Sequence, residues 1–591
     1  MDHTYRHLTD SEIATLRELG NSASDWSRVM VSGPFCPAAL RGNRFEGTVR
    51  LGAVDEPAVG MPLGEGIAGS TLADCTVGDH PAIHQVRLLC GYAVGNHVAL
   101  FNIGEMSSAA GAEAWLEPMN ENGGRRLMPC AGMTVGDAYL WARYRGRKAL
   151  MQRLEGFSRA ARAVGSQRTV GDWAVVKNTQ TIRGVDILST EADRTVVDGS
   201  IALVDGVVGT GCTIGHGVIA ERFLLGEHVH LEFGLRLNDT VVGDNTTLAR
   251  GEVGNSVIFP AHEQHHNNSF LIAALVMGQS NVAAGATIGS NHNSRTADGE
   301  LSAGRGFWPG LCCSFKHSSR FASYCLLAKG DYPAEMDIPL PFALVNNNVG
   351  KDRLEVMPAY WWMYNMYAID RCQRKFAARD KRVTKAQHIE FSPLAPDTAE
   401  EIVQAMDLLL KWIAASKDGV VYAEGMEKSK RPTVVLKAAE GLKAYEDMLV
   451  HYAMTTLRTA YGDSLPPALP DADREWVNLG GQLITKNDME QLIADIENSI
   501  IGSWDAMHTR LDDLWQQYPA TRAAHAYGTL CRLAGTGSID ETLWQHCLTR
   551  HEQIKQYVAD QIVASRHKDD TNPFRHATYW DDAEMDAVLE R

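Results

Sequence analysis

A pattern that recurs every 17 residues constrains this chain more than any other feature. Val208–Gly209, Leu225–Gly226 and Val242–Gly243 stand 17 residues apart, and six residues beyond each V-G or L-G valine or leucine lies another aliphatic: Ile214, Leu231 and Leu248. A third column runs through Leu203, Ala220 and Leu237 and is taken up again by Leu271 and Ile288. Three inward columns separated by six, six and five residues describe a coil with three sides. Each side is a short strand, and each corner is a tight turn of the kind Gly, Asn and Asp tolerate. Such coils stack through backbone hydrogen bonds at a strand spacing of about 4.8 Å. The expected fold is a β-solenoid of parallel strands. The same hexad opens at Val77–Gly78 and again, 17 residues on, at Val94–Gly95, which predicts an earlier and shorter set of coils.

The texture of the chain divides it further. The 53 glycines crowd into 46–136 and 199–310 and thin out after 330. A helical or irregular lead-in is expected over 1–45, a first set of coils over 46–132, a connecting helix over 133–165 and the main solenoid over 166–350. A closing helix and linker over 351–395 and an all-α domain over 396–591 follow. Thr134 and Asp137 have the spacing of a capping box ahead of Tyr139, Leu140, Leu150 and Leu154. The basic run from Arg143 to Arg153 on that helix reads as a solvated face. Trp361-Trp362-Met363-Tyr364 reads as a buried helix closing the open end of the solenoid. After Pro393 and Pro396, Asp397 to Glu400 has the form of a capping box, and further helices are predicted over 433–458, 487–516 and 538–565.

Composition narrows what such a chain does. It has 591 residues, 45% of them hydrophobic, too many for one core and too apolar for disorder. A net charge of −16 argues against a phosphate-tracking surface for nucleic acid. The longest apolar run, Phe270–Met277, is far short of a membrane span. The first residues lack the basic and apolar regions of a signal peptide, and 11 cysteines are scattered without a C-x-x-C pair. A cytoplasmic protein with reduced thiols, and no membrane or nucleic-acid partner, is expected.

A solenoid repeat is mostly structural, so the informative place is where it fails. Counting 17 from Leu248 lands on His265, and the column resumes at Val282. By the same count the first column passes through Phe259 to Val276. One coil therefore replaces its aliphatic with histidine inside the run Phe259 to Phe270, a bulge deciding whether His265 or His266 points outward. Polar clusters recur nearby: Asn291, His292, Asn293 and Arg295, then Lys316 and His317, then Lys329. Histidine moves protons near neutral pH, Asn and Ser donors suit a developing oxyanion, and Lys and Arg suit a phosphate or carboxylate. His228 and His262 fall on one offset two coils apart, too far to share an ion unless Asn245 intervenes. Gly209–Gly215 and Gly304–Gly310 miss both phosphate-loop spacings and read as turns.

The hexads resemble those of hexapeptide-repeat acyl- and acetyltransferases, which implies a left-handed parallel β-helix, here in two segments joined by a helix. HHNNSFLIAALVMGQSN, ATIGSNHNSR, GRGFWPGL and PFALVNNN resemble segments of a family of long bacterial β-helix proteins that has no assigned reaction. The transferase resemblance implies a trimer and transfer of an acyl group from an acyl-CoA to a small metabolite acceptor, a sugar phosphate or nucleotide sugar. By that resemblance His266 or His265 is the base, and Asn268 and His292 complete the catalytic group. Asn267, Asn291, Asn293, Arg295, Lys316, His317 and Lys329 are then the substrate-binding set. Two other functions stay open: a zinc-type enzyme with His265, His266 and His292 on a divalent metal, and a non-catalytic binding or assembly protein.

Overall fold

The computed structural model describes residues 4–55, 64–109, 111–119, 124–163, 167–289, 299–470, 472–568, 570 and 572–588. Its frame is a three-faced β-solenoid of parallel strands, each coil paired with the next. The columns read from the sequence are the registers observed. Leu203 pairs with Ala220 and Ala220 with Leu237, while Ile214 pairs with Leu231 and Leu231 with Leu248. Leu225 pairs with Val242. None of these side chains, nor Val208, is more than 2% exposed. Strands Ala202–Val208, Ile219–Leu225 and Arg236–Val242 each carry both the third and the first columns. They bend between the two faces at Asp205, Arg222 and Asp239, whose φ values near +50° turn the corner. The second face is a ten-stranded sheet running from Leu40–Arg41 to Glu263–Gln264.

The coils begin earlier than the repeat suggests. After helix α1 (Asp10–Glu18), Ser22–Ala23 pairs in parallel with Arg44–Phe45, inside the segment read as a lead-in. The two segments stack directly on each other as one solenoid. Tyr92–Val94 pairs with Arg168–Val170, Ala99–Phe101 with Val175–Lys177 and Glu105–Ser107 with Thr181–Arg183. The chain leaves the solenoid after 107, makes helices α2 (Val135–Arg143) and α3 (Lys148–Ala163), and returns onto the coil it left. The Thr134–Asp137 capping box forms as expected.

This excursion lies on the outside of the first face. There Val207, Leu224, Val241, Val257 and Leu275 form an outward apolar stripe that packs with Leu140, Leu150 and Leu154. The same cluster takes in Leu492, Ile496, Met507 and Leu511 from the C-terminal helices. Excursion, solenoid and C-terminal helices thus share one core.

The stack ends in strand Leu344–Asn348, which turns back antiparallel through Arg353–Met357. Helix α4 (Tyr360–Tyr364) then seats buried Trp361 against Trp308 and Tyr324, the closure expected from the tryptophan pair. The helical region comprises α5 (Met366–Arg379), α6 (Pro396–Ala414), α7 (Ala438–Tyr461), α8 (Lys486–Glu497), α9 (Trp504–Ala534) and α10 (Glu541–His567). Short α11 (Pro573–His576) and α12 (Asp582–Val588) follow. The helix expected over 487–516 is thus two, parted before Trp504. Helix α6 also starts two residues earlier than a cap at Asp397 would place it. Its cap is Ala395, whose N–H donates to Thr398 Oγ1 at 3.0 Å, so Asp397 and Glu400 are released for other partners. No helix among the described residues is long and apolar enough to cross a membrane, and all 11 cysteines are unpaired.

Candidate functional site

The histidine coil looks different once its register is known. Glu232 pairs with Ala249, a step of 17, but Arg236 pairs with Glu252, a step of 16, so the corner at Arg250–Gly251 is one residue short. Leu248 therefore pairs with Gln264 rather than His265, and Val242 with Ile258 rather than Phe259. Phe259 instead packs edge-on against Tyr139 of α2. Inside the coil, Gln264 donates to Ser269 Oγ at 3.0 Å, and His262 meets Ser280 Oγ at 2.8 Å. Burial pushes the His262 imidazole down to about 4, so it is neutral and satisfied. Ala261, not His262, continues the corner of His228 and Asn245. His228 turns instead to Asp193, 3.0 Å away.

His265 points outward, its side chain 38% exposed, with Nδ1 3.1 Å from Glu263. Glu263 also holds Lys375 at 3.0 Å and Arg379 at 2.6 Å. The His266 ring lies 4.4 Å from that of His265, and Asn267 and Asn268 complete the same corner. His317 is not brought to it. Its Nε2 donates to the Ile272 carbonyl at 3.1 Å, at the far end of strand Phe270–Ile272 from His265 and His266. Lys316 pairs with Glu335 at 3.3 Å, and exposed Lys329 lies on the histidine corner but three coils on, roughly 14 Å away. Asn291, His292, Asn293 and Arg295 lie outside the described residues. Among the described residues no group of three or more His, Cys, Asp or Glu is placed to hold a metal ion.

The structure assembles a different site, where the solenoid meets the helical region. A cleft of about 700 Å³ is walled by Tyr139 and Arg143 of α2, Met277 and Ser323 of the solenoid, and Asp397, Glu400 and Glu401 of α6. The hairpin Trp476–Thr485 supplies Trp476 and Asn478, with Arg474 just before it. Two of the three α6 carboxylates are neutralised. Arg305, 1% exposed, clamps Asp397 with nitrogens at 2.9 and 2.7 Å and donates to the Ser392 carbonyl at 2.9 Å. Glu400 takes His525 at 2.9 Å and Arg474 at 3.3 Å. Glu401 has no ion-pair partner among the described residues. It accepts from the Ser323 N–H at 3.0 Å, and burial, with the negative charge of Asp397 beside it, pushes its pKa up to about 7. Two donors on the hairpin, Trp476 Nε1 and Asn478 Nδ2, are buried without a hydrogen-bond partner among the described residues.

Behind the cleft a buried polar network fixes the α6 N-terminus to the solenoid. Gln279 donates to the Glu390 carbonyl at 2.6 Å, and Tyr324 donates to Gln279 Oε1 at 2.7 Å. Tyr518 and Arg522 of α9 close on the Glu390 carboxylate at 2.7 and 2.8 Å. The pattern of columns does not find these residues, because the polar groups sit at corners, off the inward columns. The distinctive segments contain two of the residues: Gln279 is third from the end of HHNNSFLIAALVMGQSN, and Arg305 is the arginine of GRGFWPGL. The turn Gly304–Gly310 is tight because a Cβ at Gly306, φ +69°, would stand 2.2 Å from the Tyr324 ring.

Residues 5–412 match the family described as a domain of unknown function, DUF4954. The chain belongs to that family. A Treponema pallidum (strain Nichols) protein named "Uncharacterized protein" is 40% identical over 658 aligned positions, covering 99% of this chain and 90% of that one. The family match takes in the whole solenoid and ends inside α6, so it includes Gln279, Arg305, Ser323, Asp397, Glu400 and Glu401. The hairpin and α9, which supply Trp476, Asn478, Arg522 and His525, lie beyond it.

Proposed function

We propose that this DUF4954 protein is an enzyme acting on a small hydroxyl- or amine-bearing metabolite held in the cleft, with Glu401 as the group that takes and returns a proton. The observation that carries the reading is the contrast among three carboxylates on one helical turn and a half. Asp397 is locked by Arg305 and Glu400 by Arg474, whereas Glu401 faces the cleft with no ion-pair partner among the described residues and with its pKa raised to about 7, a condition for efficient general acid–base catalysis. Trp476 Nε1 and Asn478 Nδ2 supply donors for a hydroxyl or carbonyl oxygen of the substrate. The wall carries more carboxylates than arginines, which favours a neutral or cationic substrate over a polyanion.

A second reading places the proton transfer at the solenoid corner. His265 is oriented by Glu263, and burial holds its pKa below the ordinary value despite that carboxylate, so it is neutral and able to accept a proton. That is the base an acyl transfer from acyl-CoA to a hydroxyl or amine requires, as the hexapeptide resemblance implies. The protein equilibrated with a cell metabolite extract, washed, and analysed for retained small molecules identifies the substrate. Turnover of that compound by Glu401→Gln and His265→Ala then separates the readings. Loss only in Glu401→Gln supports the cleft, loss only in His265→Ala supports the corner, and full turnover in both overturns both.

A further inference from the structure

A second cavity, of about 430 Å³, opens where the excursion leaves and rejoins the solenoid. Its walls are Ser108, Glu113 and Met128 of the excursion, the last turn of α3 with Arg159 and Arg162, and Arg168 and Asp186 of the coils. The charges in it do not balance. Arg168 donates to Asp186 Oδ2 at 2.7 Å, and the Thr169 N–H donates to Asp186 Oδ1 at 2.9 Å, so both oxygens of that carboxylate are taken by its own coil. Arg159 at the rim is paired with Glu113 and Glu155. Arg162 is left over. Its Nε and both terminal nitrogens are buried, and none meets a hydrogen-bond partner among the described residues.

An unpaired buried guanidinium is expensive, because five donors and a full charge have lost their water without replacement. Arg162 does not escape by losing its proton. Burial and the neighbouring Arg168 lower its pKa only to about 10, so it is charged at neutral pH. A group of this kind persists where an anion completes it. We infer that the cavity is a binding site for the oxyanion of a small metabolite, a phosphoryl or carboxylate group seated bidentately on Arg162. The volume exceeds what an inorganic anion fills and falls in the range of small-molecule sites, so the ligand carries a body beyond its charged head. The planar fork of arginine matches both oxyanions, and lysine does not reproduce it. This site is separate from the Glu401 cleft and does not depend on the reaction proposed there.

The test uses the full-length protein with two probes, inorganic phosphate and citrate, against sodium chloride at matched ionic strength. Calorimetric titration of the wild type is expected to give saturable binding of at least one probe, and which of them binds tells a phosphoryl from a carboxylate site. Thermal unfolding is expected to shift upward with that probe in the wild type. In Arg162→Met the shift should vanish and the affinity fall at least tenfold, while Tm in probe-free chloride rises because the stranded charge is gone. Arg162→Lys should bind with intermediate affinity. Absence of saturable binding of either probe to the wild type overturns the site, whatever the variants do. Equal binding by Arg162→Met overturns it as well.

Discussion

Arg305 illustrates how much one corner residue carries. It is wholly buried, and its partners are a carboxylate and two backbone carbonyls on the far side of the solenoid–helix boundary. Removing one member of a buried pair strands the other, at about 3–5 kcal/mol. Arg305→Met should therefore lower stability by that order, and Arg305→Lys should recover little of it because the bidentate geometry is lost; denaturant titration reads both. Glu401 makes the opposite prediction. Its folded pKa of about 7 lies above the ordinary 4.5, so the protein binds this proton more tightly than the unfolded chain does. Its stabilising effect is complete below about pH 4.5 and is lost as the pH rises through 7. The stability of Glu401→Gln relative to wild type should grow across that window and level off above it, at about 3 kcal/mol or less. A gap independent of pH would remove the titration from Glu401.

At the scale of elements, specific bonds as well as an apolar face tie the excursion to its surroundings. Asp137, the capping-box residue of α2, also accepts from His508 of α9 at 2.8 Å. The Asp137 charge raises the His508 pKa to about 8, ahead of the opposing effect of burial. The contribution of the pair is fully present below the ordinary histidine value of 6.5 and is lost as the pH passes 8, about 2 kcal/mol in all. His508→Gln should cost most at pH 6 and nearly nothing at pH 9, read by thermal unfolding across that range. The capping box of α2 was readable from Thr134 and Asp137 because the signal is local. The boundary at Pro396 was not, since Asp397 has the chemistry of a cap and only the distant Arg305 draws it away from that role. The histidine coil was misaligned by one position for a similar reason. A corner shortened at Arg250–Gly251 leaves no mark in the spacing of aliphatics until the next coil is placed against it.

For the molecule as a whole, the solenoid was readable because its period is imposed on every coil by the same backbone hydrogen bonds. The cleft was not, because its walls come from segments more than three hundred residues apart, Tyr139 to Asn478, that no periodicity links. The first face is covered by the chain's own helices, so the self-association that the transferase resemblance implies does not use that face. Sedimentation at micromolar concentration decides it: a 64.8 kDa species overturns that expectation, and a multiple of it sustains it. The side trip of the chain between coils also sets a timetable. During synthesis the coil ending near 107 can receive its neighbour as soon as residues up to 187 have emerged, whatever the sixty residues between are doing. Once the stripe ending at Leu275 has emerged it covers part of the apolar sides of α2 and α3, but the layer formed by Leu492, Met507 and Leu511 is still unmade. At ordinary elongation rates that wait lasts roughly ten to fifty seconds, long enough that a nascent chain displays its greasy flank to whatever chaperone attends the ribosome.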